Sequence, residues 1–324
     1  MKTYRIPHTE LQVSRIGYGC MNLGGEWGRT PLTADLRLRA ARLVAAAVEH
    51  GITLFDHADI YTLGKSEAVF GEVLQQSPGL RQKIVLQSKC GIRLEDDSQA
   101  GDPGRYDFSC DHIVRAVEGS LRRLQTDYLD ILLLHRPDPL VEPDEVDRAF
   151  DQLRRSGKVR YFGVSNHTAP QIELLKKSVS QPMVVNQLEL NLLHAHLIED
   201  GILANQEDNR YTGAAGTLDY CRLHDILIQA WAPVAGGKLI DPPQASDERA
   251  RRAARQVAKL AEERGVTREA VALAWLLRHP ASIQPIVGTT NVERLVASCQ
   301  ADDVTLSREE WYALFVAGRG GPVP

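Results

Sequence analysis

The sequence predicts an α/β chain, a single (β/α)8 TIM barrel with an N-terminal β-hairpin, and three observations carry that prediction. Short β-type runs alternate with helical stretches from end to end, several of the runs are apolar throughout, and no linker-like composition shift divides the chain. The 324 residues, 43% hydrophobic and 25% charged, have room for two domains, but barrels of roughly 250 residues or more form one unit. The expected domain is therefore 1–324.

After the hairpin, the expected strands are Arg15–Leu23, Ile52–Phe55, Ile84–Lys89, Leu129–His135, Val159–Ser165, Val184–Leu190, Ile226–Trp231 and Ile283–Val287. The second, third, fourth and seventh are largely apolar, as parallel strands buried on both faces require. Among the helices, Leu36–Glu49 stops before Gly51, a natural C-cap. Asp111–Arg123 places Ile113, Val114, Val117 and Leu121 on one face. Asp144–Arg155 stops before Gly157, and Asp247–Arg264 before Gly265. Two connections are long. Glu95–Ser109 follows the third strand; Leu192–Thr217, with Asn205, Asp208, Asn209, Gly213 and Gly216, follows the sixth. Both emerge at the C-terminal mouth of a barrel, where with Trp27 of the first loop they are expected to shape substrate access.

Composition excludes several classes of function. A net charge of -4 and a pI near 6.2 argue against nucleic acid or an anionic membrane as partner. The five cysteines, Cys20, Cys90, Cys110, Cys221 and Cys299, are odd in number and form no CxxC pair. A disulfide framework and a zinc site are thus not expected, and a reducing compartment is. The first residues, Met1 to Arg5, have no apolar h-region, and no run reaches the ~18 apolar residues of a membrane span. The expectation is a soluble, cytoplasmic protein with no metal; the oligomeric state is not legible.

The chemistry lies at strand ends. The second strand runs into Asp56-His57-Ala58-Asp59-Ile60-Tyr61, the third finishes at Lys89 and the fourth at His135. In a parallel barrel these ends converge on one mouth. Carbonyl reduction needs an acid that protonates the developing alkoxide. A free tyrosine, with a pKa near ~10, is a weak acid at neutral pH. A buried ammonium beside the phenol is expected to lower that pKa, and a carboxylate to keep the ammonium charged. Tyr61, Lys89 and Asp56 fit these roles, and His135 is placed to hydrogen-bond and orient the carbonyl oxygen.

On these residues the chain resembles the aldo-keto reductase family over nearly its full length. Asp56-x-Ala58-x-x-Tyr61 with Gly64-x-Ser66-Glu67 is similar to the family's second-strand signature, and Lys89 and His135-Arg136-Pro137-Asp138 match its next two strands. Gly163-Val164-Ser165-Asn166, Asn186-Gln187, Gln229-Ala230-Trp231-Ala232-Pro233 and Gly288-Thr289-Thr290 resemble its remaining strand ends. The resemblance implies reduction of a small-molecule aldehyde or ketone with a nicotinamide cofactor, NADPH (NADP+), laid across the mouth without a Rossmann domain. No GxGxxG or P-loop motif occurs. It implies that Ser165, Asn166 and Gln187 hydrogen-bond the carboxamide and that Trp231 stacks on the nicotinamide. Gly19, Cys20, Met21, Asp56, Ala232, Pro233 and Val234 would line the same path. Gly288, Thr289 and Thr290 open a helix suited to an anion, and Arg294 would grip the adenosine 2′-phosphate. The chain departs from the pattern at Ala232, where a serine is common, and at Ala297 and Ser298, where a Glu-Asn pair is common. Two other readings compete. One is a metal-dependent hydrolase, suggested by His194-Ala195-His196; the other is a barrel that senses NADPH for a partner protein.

Overall fold

Side chains along a strand alternate between its faces, so in a barrel every second residue enters the interior and the rest meet the surrounding helices. The computed structural model describes residues 1–97, 99–203, 212–242 and 247–324; Asn205, Asp208 and Asn209 of the long connection lie outside them.

Strands β1 (Thr3–Arg5) and β2 (Gln12–Ser14) form the antiparallel hairpin. The barrel strands are β3 (Gly17–Gly19), β4 (Leu54–Asp56) and β5 (Val85–Cys90). A small antiparallel pair, β6 (Ile92–Arg93) and β7 (Arg105–Tyr106), follows. Then come β8 (Leu129–Leu134), β9 (Val159–Ser165), β10 (Met183–Glu189), β11 (Leu227–Trp231) and β12 (Gln284–Val287). Barrel strands pair in parallel in the order β3-β4-β5-β8-β9-β10-β11-β12 and close back on β3. The expected (β/α)8 barrel with its hairpin is present.

Helices α1 (Ala34–Glu49), α2 (Lys65–Gln76), α3 (Cys110–Leu124), α4 (Pro143–Arg155) and α5 (Ala169–Lys176) each follow a barrel strand. After β10 come α6 (His196–Ile202) and α7 (Thr217–Leu223). After β11 come α8 (Glu248–Arg264) and α9 (Arg268–Leu277), and after β12 α10 (Val292–Cys299) and α11 (Arg308–Arg319). Asp247, expected inside its helix, instead caps it, accepting from Ala250 N. Gly51, Gly157 and Gly265 all take positive φ just past helix ends.

One expectation changes. Arg15–Leu23 contributes only Gly17–Gly19 as strand, because the chain leaves the ladder at Cys20 and turns, Leu23 N donating to Cys20 O. A Cβ at Gly17 would stand 2.7 Å from Ile286 Cδ1 and 2.9 Å from Leu54 Cδ2, so a larger residue here would have to push both side chains aside. Among the described residues, both long connections contain secondary structure of their own. Glu95–Ser109 folds back through β7 onto β6, with Arg93 bonded to Asp97 and Asp107. Leu192–Thr217 carries α6.

The interior is layered. At its N-terminal end Ile6, Leu11 and Val13 of the hairpin region pack with Leu54, Val85, Ile131, Leu133, Val185 and Leu227 into an apolar plug. Two residues further along the strands the same face turns polar: Leu54 gives way to Asp56, Val85 to Gln87, Val185 to Gln187, Leu227 to Gln229. A second step brings Lys89, His135 and Trp231 to the mouth. The outward residues, among them Phe55, Leu86, Leu132 and Leu134, pack in the shell between barrel and helices.

Candidate active site

Strand pairing fixes the first contacts. Asp56 lies opposite Gln87, and Lys89, two residues on, emerges on the same face. Lys89 is 1% exposed and gives away three hydrogen bonds: to Asp56 Oδ2 at 2.7 Å, His57 O at 2.9 Å and Tyr61 Oη at 3.0 Å. These match an ammonium's three donors, so the buried charge is paired and satisfied. Burial alone would lower the Lys89 ammonium, but the Asp56 and Tyr61 interactions carry it above its ordinary value.

Tyr61 arrives on a turn. Thr62, Leu63 and Gly64 take φ of 49, 59 and 83° in succession, a left-handed run that reverses the chain. For Thr and Leu such angles are strained and persist only where the surroundings hold them. Here Thr62 Oγ1 meets Ser66 Oγ at 2.9 Å and Ser66 Oγ donates to Met21 O at 2.8 Å, pinning the turn to the first loop. Gly24 fits beneath because a Cβ there would lie 2.4 Å from Thr62 Oγ1.

The balance at Tyr61 corrects the sequence expectation. Burial raises the phenol, Lys89 lowers it and Asp56 raises it again, and the net position lies above the ordinary value rather than below. The ammonium offsets desolvation without overcoming it. Tyr61 is therefore a phenol carrying its proton at neutral pH. The His135 ring meets it edge to face with centroids 5.8 Å apart. Burial, then the charges of Lys89 and Arg136, hold His135 well below its usual value, so its imidazole is neutral.

Around these four residues the remaining candidates divide. Asn166, in a left-handed conformation, donates to His135 O at 3.1 Å and Ser165 Oγ at 2.9 Å and accepts from Trp231 Nε1 at 3.1 Å. Ser165 Oγ donates to Gln187 O at 2.9 Å. Ser165, Asn166, Gln187 and Trp231 are thus gathered beside His135, and the indole is fixed by its edge through Asn166. Ala232, also left-handed, has its carbonyl held by Asn191 Nδ2 at 3.0 Å, and Pro233 and Val234 continue the rim. Gly19 and Met21 also stand at the rim. Cys20 is 0% exposed and its Sγ turns toward Tyr18 O, so its side chain faces the core.

The phosphate candidates form a separate group. Gly288, Thr289 and Thr290 lead into α10, where Asn291 caps Arg294 N at 3.0 Å. Tyr18 Oη holds the loop through Thr289 O at 3.0 Å. The Arg294 side chain is exposed at the first turn.

The sequence reading gave no role to Gln87, Gln229 and Gln284, all 0% exposed, which join Asp56 and Gln187 in one hydrogen-bonded layer. Their signal was a glutamine two residues from Lys89 or Trp231 within an apolar run. It likewise missed a buried carboxylate in the first turn of α2: Glu67, fully buried, accepts from Ser88 Oγ at 2.7 Å and Arg123 Nε at 2.8 Å. Burial and the Glu67 charge together push the neighbouring Asp59 up to about 8.

A cavity of about 500 Å³ opens beside Trp231, lined by Arg136, Asn166, Thr168, Glu189 and His194 among others. The His194 and His196 rings meet there edge to face, 4.3 Å between centroids. Among the described residues, no three His, Cys, Asp or Glu side chains gather to hold a metal, and no helix is long and apolar enough to cross a membrane.

Comparison with known proteins shows the family. The Aldo/keto reductase family model matches residues 15–315. The chain is 36% identical over 315 residues to a 6-dehydroglucose reductase of Agrobacterium fabrum, covering 97% of both chains. It is 37% identical over 294 residues to the oxidoreductase YdhF of Escherichia coli K12, covering 90% of this chain and 92% of that one. Among solved structures it resembles an aldo-keto reductase from Klebsiella pneumoniae in complex with NADPH, with a TM-score of 0.75 and 27% identity over 100% of this chain and 96% of that one. The protein belongs to the aldo/keto reductase family.

Proposed function

We propose that this oxidoreductase reduces aldehyde or ketone carbonyls of small molecules to alcohols with NADPH, Tyr61 supplying the proton. The observation that carries the reading is the 3.0 Å contact of a buried lysine ammonium with a protonated tyrosine at the barrel mouth.

The residues present fit a nicotinamide cofactor. Among the described residues Gln187 Oε1 accepts no hydrogen bond, while both Gln187 N–H groups are engaged below, so an acceptor is available for a carboxamide. Trp231 offers its face beside it, and Ser165, Asn166 and the Ala232–Val234 rim complete that side. Gly19, Cys20 and Met21 contribute backbone on the other. Gly288, Thr289 and Thr290 with the first turn of α10 suit a phosphate, and Arg294 adds a matching charge. When bound, NADPH supplies a hydride to the carbonyl carbon.

The protein's own part follows from its charges. Neutral His135, its Nδ1 buried, presents Nε2 to the carbonyl oxygen and orients it. Tyr61 delivers its proton to that oxygen as negative charge develops. The phenolate left behind stands beside the Lys89 ammonium, which stabilises it, and Asp56 holds Lys89 in place. A metal-dependent hydrolase is not favoured by the family, and intact Asp56, Tyr61, Lys89 and His135 support turnover over a purely sensing barrel.

On the same reading the chain acts as one domain, 1–324, without nucleic acid or membrane; its free cysteines suit a reducing, cytoplasmic setting. A screen of aldehydes and ketones, followed by loss of NADPH absorbance, tests the proposal. Sugar aldehydes enter that screen because one relative is named a 6-dehydroglucose reductase. NADPH-dependent turnover of at least one carbonyl class is expected. No turnover with any class, together with no NADPH binding, would overturn the reading.

A further inference from the structure

A barrel interior is usually filled with branched aliphatic side chains, yet here one whole layer is polar: Asp56, Gln87, Gln187, Gln229 and Gln284, none more than 2% exposed. Such a layer is tolerable only if its atoms are paired, and the pairing is almost complete. Gln87 Nε2 donates to Asp56 Oδ1 at 2.6 Å and Gln229 Oε1 at 2.8 Å. Gln187 Nε2 donates to the same two oxygens at 3.0 Å each. Gln229 Nε2 donates to Gln284 Oε1 at 2.9 Å and Gln87 Oε1 at 3.2 Å. Gln284 Nε2 ends the chain on Ser14 O at 2.7 Å.

The donors and acceptors permit one polarity. Asp56, paired through Oδ2 with Lys89, is an acceptor, so both amides that face Oδ1 must turn their NH2 groups to it. Gln229 Oε1 spends its two acceptor positions on those same NH2 groups. Reversing the Gln187 amide would set its oxygen against Asp56 Oδ1 and Gln229 Oε1, two repulsive contacts near the 3.0 Å now bridged by hydrogen. Gln187 Oε1 is the one amide oxygen of the layer that accepts nothing among the described residues.

We propose that Gln229 is a positioning residue. With Asp56 it locks the Gln187 amide so that its oxygen, an acceptor, is presented to the cofactor's carboxamide N–H. Gln187 thereby ties recognition of the nicotinamide to the carboxylate that holds Lys89. The proposal rests on Gln187 meeting the carboxamide, as proposed above, and adds that a residue out of reach of the cofactor sets the polarity of that contact.

The test is binding, read by titration calorimetry, of NADP+ and of its 3-acetylpyridine analogue, in which an acetyl group replaces the carboxamide and removes the N–H donor. Wild type should prefer NADP+ by about five- to tenfold, the scale of one net hydrogen bond, and Gln187→Leu should lose that preference. Gln229→Leu, which leaves the Gln187 amide held by Asp56 alone, should cut the preference at least about threefold. Gln229→Glu, protonated in this buried layer beside Asp56, keeps one oxygen for both NH2 groups and an O–H for Gln284 Oε1, and should restore it. If Gln229→Leu does not fold, Gln229→Met, unbranched and closer to glutamine in shape, carries the same prediction. A wild-type preference that Gln229→Leu or Gln229→Met leaves unchanged would overturn the positioning role alone. No preference in the wild type would overturn the carboxamide reading of Gln187, and this proposal with it.

Discussion

At the Tyr61 rim the polar atoms hold one another: Lys89 is bound to Asp56, His57 and Tyr61, and Asn166 links His135 to Trp231. At the α10 rim the loop from Gly288 to Thr290 is anchored by Tyr18, while Arg294 projects into solvent. The first region is organised before any ligand arrives, as electrostatic catalysis requires. On the proposed reading, the second is ordered only by its ligand and spends side-chain entropy when it binds. Changes at the first should therefore damage both turnover and the fold, and changes at the second only the choice of cofactor.

The largest break is expected from Lys89→Met. It removes the charge beside Tyr61 and leaves Asp56 buried without its counter-ion, so reduction should collapse. Breaking a buried pair costs roughly 3–5 kcal/mol, so denaturant unfolding should show a clear loss of stability. Turnover with an unshifted pH profile would deny the coupling between Lys89 and Tyr61.

Arg294→Ala sharpens the contrast from the other side. NADPH affinity should fall about ten- to a hundredfold, the range of a charge-assisted contact, while NADH affinity and unfolding stay nearly unchanged. Tryptophan fluorescence titrations with both cofactors measure this. Equal loss for the two would move Arg294 to the adenine or to the fold.

The smallest effect concerns His57, beside Asp56 yet packed on Phe70, with neither ring nitrogen hydrogen-bonded among the described residues. Burial first, then Lys89, hold it down to about 3, against ~6.5 for an unperturbed histidine. Between these values the unfolded chain binds the extra proton, so stability falls as pH drops from ~6.5 toward ~3, by at most ~1.4 kcal/mol per pH unit. His167 and His279, held by burial at about 4, add to the same limb. His57→Leu should flatten it, its stability relative to wild type improving as pH is lowered from 7 to 5. A parallel pH dependence in the two proteins would show that His57 is not buried and neutral.

The same contrast separates what was legible in the sequence. Strand ends were, because Asp56, Lys89 and His135 interrupt apolar runs where solvent-facing chemistry belongs, and the Val159–Ser165 strand is found with those bounds. The glutamine layer carried a weaker mark: Gln87 and Gln229 sit in apolar strands, but only closure of the barrel shows that they meet across it. The sign of the Tyr61 shift was not legible either, since it depends on how completely the fold excludes water. Cys20 reads as rim by position, yet its side chain turns inward at a point where β3 has already ended.

The central claim is that Tyr61 is the acid. Tyr61→Phe keeps the ring against His135 and removes only the proton. In single-turnover measurements with NADPH bound, carbonyl reduction should fall at least ~100-fold, the usual scale of general-acid catalysis, with NADPH affinity unchanged. A variant that reduces the carbonyl at near-wild-type rate would contradict the account.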